Sequence, residues 1–135
     1  MKSLLLIAAL ILSVTQPLTA QTIEKTTYPM VISFQSQCCG VPSDSAVRKF
    51  IVSFKKKYKI KKITAYHIGP MGREGEYYLA FTLNELSKKK AGYFISKIKK
   101  IKPLRSDRGT FSFREKLEID PELISKRAKT EVVVF

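Results

Sequence analysis

The 135-residue chain has no tryptophan, a single histidine and only two cysteines. Two cysteines cannot build a disulfide framework, so the fold must rest on an apolar core. With His67 as the sole imidazole, a Ser or Cys nucleophile would depend on that one ring as its base, and no local motif supplies an orienting acid. Acid is scarce too: 11 Asp and Glu stand against 25 Lys and Arg, a formal net charge of +14 at pH 7. Glu74 and Glu76 lie in a glycine-rich loop that implies no pocket, which disfavours glycoside hydrolysis. Arginine is the minor base, because lysine supplies 19 of the 25 basic residues. Lysine is a hydrated point charge without the planar fork that reads base edges, so this basicity implies attraction to anionic surfaces and no nucleic-acid partner.

Long apolar runs are confined to the N-terminus. Lys2 precedes an 11-residue run from Leu4 to Val14, and Thr15-Gln16-Pro17-Leu18-Thr19-Ala20 follows it. That tripartite layout is expected of a secretory signal peptide over 1–20, cut near Ala20. The run is short for a hydrocarbon layer of ~30 Å, and no later stretch approaches ~20 apolar residues, so no transmembrane segment is expected in the mature chain. Residues 21–135 then form one exported domain, periplasmic or extracellular, of a size that can bury its own core.

What is present has the periodicity of an α+β domain. Met30, Ile32 and Phe34 alternate as a strand, and Val47, Phe50, Ile51, Phe54 and Tyr58 recur at helical spacing over about Asp44 to Tyr58. Ile63–Ile68 and Gly75–Leu83 read as strands around a hairpin. A second helix is expected from Asn84 to about Ile101, with Gly92 a cost inside it and Pro103 ending it. Phe111 and Phe113 open a fourth strand, Asp120-Pro121 a short helix, and Thr130–Phe135 a strand whose partner stays open. The order β-α-β-β-α-β is that of the ferredoxin-like split βαβ arrangement, an antiparallel sheet with two helices on one face, here with a C-terminal extension from about 104.

That topology gathers three features at one end: the turn Gln37-Cys38-Cys39-Gly40-Val41-Pro42-Ser43-Asp44, the hairpin loop Gly69–Glu76, and the end of the second helix. Thiols just before a helix N-terminus are favoured as thiolates. Cys38, Cys39, His67 and Met71 are therefore candidates for a thiol redox site or for Cu or Zn, since sulfur and imidazole ligands suit soft ions. Arg73, Glu74 and Glu76 are candidate loop contacts, or a surface ion-pair group. At the level of fold the arrangement resembles the heavy-metal-associated domains, which carry a metal-binding cysteine pair in this same first turn. The resemblance implies soft-metal binding at Cys38 and Cys39, although that family places two residues between its cysteines and here they are adjacent. Adjacent cysteines can also bond to each other with strain, pair between chains, or serve as small buried hydrophobes.

One sheet face carries Val31, Tyr66, Ile68, Tyr78 and Ala80, too apolar to stand wet. The segment with Phe111, Phe113, Leu117 and Val132-Val133-Val134 is expected to fold back over it, a second subunit being the alternative. The function expected is that of a small non-enzymatic interaction or ligand-binding module. Its basic helical face would meet an acidic protein, an envelope polymer or an anionic membrane surface. The alternative is the thiol site.

Overall fold

The computed structural model describes residues 26–102, 108–120 and 129–135. The expected signal peptide and the short helix after Asp120 lie outside these described residues. In chain order the elements are β1 (Thr26–Ser36), α1 (Ser45–Tyr58), β2 (Thr64–Gly69), β3 (Tyr77–Phe81), α2 (Lys88–Ile98), β4 (Gly109–Ile119) and β5 (Lys129–Val134). The fold is mixed α+β. All five strands join in one antiparallel sheet of order β4-β1-β3-β2-β5.

The alternation along β1 divides the interior into two faces. Met30, Ile32 and Phe34 point toward the helices and meet Val47, Ile51 and Phe54 of α1 and Phe94 and Ile98 of α2. Ala65, Leu79 and Phe81 complete that layer from the neighbouring strands. Val31, Ile68 and Ala80 point the other way and are buried with Tyr28 and Ile119, flanked by Tyr66, Met71, Tyr78 and Leu117. Tyr28 shares the parity of Met30 yet packs on this second face. Between them stands Pro29, opposite a β4 segment where Lys116 adopts φ 51, and there the strand pair changes face.

The C-terminal segment does not fold over the second face as the sequence led us to expect. Phe111 pairs with Phe34 and Phe113 with Ile32, so both take the helix side, while Leu117 and Ile119 reach the other face. The valine tail lies in the plane of the sheet as β5, with its backbone satisfied by β2 from Thr64↔Val134 to Gly69↔Lys129. An unpaired backbone edge is a stronger pull on an extended apolar tail than a face already packed by its own side chains.

The helix boundaries also shifted. α2 starts at Lys88, where Ser87 accepts a hydrogen bond from the Lys90 amide, while Leu83 at φ 55 turns the chain away from Asn84. α1 begins beside Asp44, whose carboxylate takes Arg48 at 2.7 Å instead of capping the backbone. At the start of β4, a Cβ on Gly109 would stand 2.2 Å from the carbonyl oxygen of Gln35 and 3.0 Å from Pro42. Gly109→Ala should therefore cost about 1–3 kcal/mol in a urea titration, because backbone rather than a pliant side chain must give way.

Candidate functional site

The cysteine turn is shaped by two left-handed residues in succession, Cys39 at φ 65 and Gly40 at φ 106. The amides of Gln37 and Cys38 both donate to the carbonyl of Arg108, at 3.0 and 3.3 Å, which ties the turn to the start of β4. Cys38 and Cys39 are exposed and not joined in a disulfide.

His67 does not join them in a cluster that could hold a metal ion. His67 stacks on Tyr77 at 4.4 Å, and Tyr77 stacks on Phe34 at 4.5 Å, so the imidazole ends an aromatic row across the helix side of the sheet. Met71 packs against the other face, with Val31 and Ile68. The two side chains are separated by the sheet itself. Among the described residues no group of three or more His, Cys, Asp or Glu converges where it could hold a metal ion.

Arg73 and Glu74 are exposed in the loop. Glu76 folds back over Gly72 and accepts a hydrogen bond from the Glu74 amide at 3.2 Å. A polar recess of about 350 Å³ lies beside it, lined by Ser33, Ser36, Met71, Glu76 and Tyr78. Among the described residues the Ser36 hydroxyl, buried there, has no hydrogen-bond partner.

Tyr77 joins this end of the sheet to α1. Burial raises its phenol above the usual 10.0, the nearby Asp44 carboxylate adds to the rise, and Arg48 partly offsets it. The unfolded phenol thus ionises first. The stabilisation is whole below pH 10 and is lost as pH climbs toward the folded value. Melting temperatures of the wild type should fall above about pH 10, and Tyr77→Phe should flatten that slope.

The helical face is built differently. Residues 45–62 and 86–102 hold 15 basic residues and no acidic ones. Helical spacing turns the apolar set inward, which leaves the lysines outward on two neighbouring helices. Between them opens a groove of about 720 Å³, with Tyr58, Tyr93, Gly92 and Ser96 as walls and floor and Lys89 and Lys90 on the rim. The Tyr58 and Tyr93 rings meet edge to face at 5.7 Å. Lys57 stands over Tyr58 at 5.7 Å and Lys97 over Tyr93 at 5.1 Å. The Tyr93 phenol is held below its ordinary value, first by the Tyr58 hydroxyl and then by Lys97. Lys90 also borders a second recess of about 360 Å³, with Lys59, Lys61 and Lys62 around Glu85.

A Cβ on Gly92 would meet nothing within 4 Å, so no packing demand explains this glycine inside a helix. Its effect is to leave the groove floor open. Gly92→Ala should stabilise the protein by about 0.5–1 kcal/mol in thermal melts, since the helix gains propensity without a clash.

The lysines by themselves read as one general charge, and helical spacing does not bring Tyr58 to Tyr93. The signal was there in Gly92-Tyr93, an aromatic set beside the apolar stripe of α2 and flanked by lysines a turn away. Compared with protein-family models, curated proteins and solved structures, the chain has no match in any of the three. Aromatic walls and an ammonium rim can hold an anionic group beside a flat or apolar one.

Proposed function

We propose that the protein is a small exported, non-enzymatic binding module whose two-helix face docks an anionic surface. The observation that carries this reading is the concentration of 15 basic residues on both helices and their exits, beside the Tyr58–Tyr93 groove, met by Asp44 on Arg48, Glu85 in the neighbouring recess and Glu115 on Lys99. A face with so large an excess of positive charge creates a field that draws anionic partners before contact, and the groove supplies short-range grip. An envelope polymer, an anionic membrane surface or an acidic protein each presents that chemistry. We also read the first four strands and two helices as a ferredoxin-like unit with β5 added at one edge. The antiparallel order β4-β1-β3-β2 within the sheet supports that reading.

The test is binding to immobilised sulfated polysaccharide and to vesicles with and without anionic lipid, measured across salt. Binding should weaken steeply between about 50 and 300 mM salt, as screening shortens the reach of surface charge. Equal binding to neutral vesicles, or affinity indifferent to salt, would remove the reading.

A second reading rests on a separate observation, the exposure of both thiols at the turn. A soft ion bound there would take the two sulfurs without the His67 imidazole, which stacks on Tyr77. Titration with Cu(I) should then show one high-affinity equivalent that the paired change Cys38→Ser, Cys39→Ser abolishes while the melt is unchanged. Equal uptake by the variant would end this second reading.

A further inference from the structure

The two edges of the sheet are finished differently. β4 carries Arg114, Glu115, Lys116 and Glu118 over its second half, with Lys116 turned to φ 51. Charge and a local backbone break of that kind protect an edge from pairing. β5, the outermost strand on the other side, ends in Val132-Val133-Val134 and has neither device there.

Its hydrogen bonds show which groups face outward. Ile63 and Phe135 exchange both backbone bonds, at 3.0 and 3.2 Å, and the register runs on without a slip from Thr64↔Val134 to Gly69↔Lys129. In an antiparallel pair, residues bonded to the neighbour alternate with residues whose amide and carbonyl turn away. Val133, Glu131 and Lys129 thus bond inward to β2. Thr130, Val132 and Val134 hold their N–H and C=O to the outer side, where no strand among the described residues meets them. Val132 and Val134 are each 61% exposed.

We propose that this edge pairs with the same edge of a second copy of the chain, giving a two-fold dimer with one continuous sheet. The strand is complementary to itself in a register that lies wholly within it and Phe135. With Val132 opposite its own copy, Thr130 stands opposite Val134 and Glu131 opposite Val133, so β-branched residues face each other and the carboxylates are apart. About six backbone hydrogen bonds form from the outward groups. A slip of two residues would set Glu131 against Glu131, which like charges oppose.

Antiparallel partners keep equivalent residues on the same face, so the two-fold axis stands perpendicular to the sheet. Both helix layers then lie on one side. The dimer offers two basic grooves to the same anionic surface, and the second contact forms at the effective concentration set by the first. The chain's net charge of +14 repels its copy at long range, so salt should favour dimerisation. Binding to an anionic surface has the opposite salt dependence, which separates the two readings.

Sedimentation velocity of the full chain, without any anionic ligand, at about 5 to 500 μM and at low and moderate salt, tests the proposal. Dimer should grow with concentration and with salt. Val132→Lys should raise the dimer dissociation constant at least about tenfold, by placing like charges opposite each other at the two-fold axis. Val132→Pro should do the same by removing an amide that makes no bond to β2. In a background of Cys38→Ser and Cys39→Ser, Val132→Cys should give a disulfide-linked dimer on mild oxidation and Val133→Cys should not. A monomer at every concentration, or a dimer that Val132→Lys leaves intact, overturns the proposal. If the proline variant fails to fold, the lysine and cysteine variants decide.

Discussion

Phe94→Ala is expected to be the most damaging single core change, costing about 3–5 kcal/mol in equilibrium unfolding, much of the ~5–15 kcal/mol available to a domain of this size. Phe94 is fully buried and sits where the layers meet. Its ring lies 5.4 Å from Phe50, 5.1 Å from Phe54 and 5.6 Å from Phe81, joining α2 to α1 and to the sheet. Truncation removes transfer energy and leaves a cavity that three stiff rings cannot fill by rotating. Phe50→Ala gives the contrast, because Phe50 is only partly buried at the margin of the same cluster and should cost less. Equal losses at the two positions would show that the layers are not pinned at Phe94.

The second large effect concerns binding. The combined change Lys89→Glu, Lys90→Glu, Lys97→Glu is expected to lower affinity for anionic vesicles by at least about a hundredfold at low salt. Each basic residue near such a surface contributes on the order of 1 kcal/mol, and reversal replaces attraction with repulsion. All three side chains border the groove or its tyrosines. The fold should tolerate the change. Lys89 and Lys90 are in the first turn of α2, where a carboxylate suits the positive end of the helix, and only Glu at 97 opposes the macrodipole. The control is Lys116→Glu, Lys129→Glu on the edge strands, which makes two of the same charge reversals away from the groove and so should cost about two thirds of that binding energy if net charge alone governs. If the control loses that share, net charge rather than the helical face governs attraction.

Most of the secondary structure was legible because burial writes periodicity into the chain. Met30, Ile32 and Phe34 could only alternate, and Val47, Ile51 and Phe54 could only share a helix face. The start of α2 was less legible. Asn84 and Ser87 are both good caps, and the left-handed turn at Leu83, set by its neighbours, chose between them. The candidate site was legible in charge but not in shape. Lysine spacing revealed a basic face, whereas the meeting of Tyr58 with Tyr93 depends on how two helices far apart in sequence cross.

The cysteine turn shows the same limit. Residue order alone placed Cys38 and Cys39 between a strand and a helix, and the turn chemistry of Gly40 and Pro42 agrees with where they lie. That His67 would stack on Tyr77 on one side of the sheet while Met71 packs on the other follows from strand register, which sequence spacing within a loop does not encode.

Sequence by itself determined the fold class, the two-faced sheet and the one-sided charge, since each depends on the local order of apolar and charged residues. Tertiary structure alone decided where the valine tail docks, which aromatics wall the groove and which strands form the edges of the sheet. Those depend on contacts between segments distant in the chain, where backbone groups seek partners and packed faces exclude alternatives, and no local pattern records that choice.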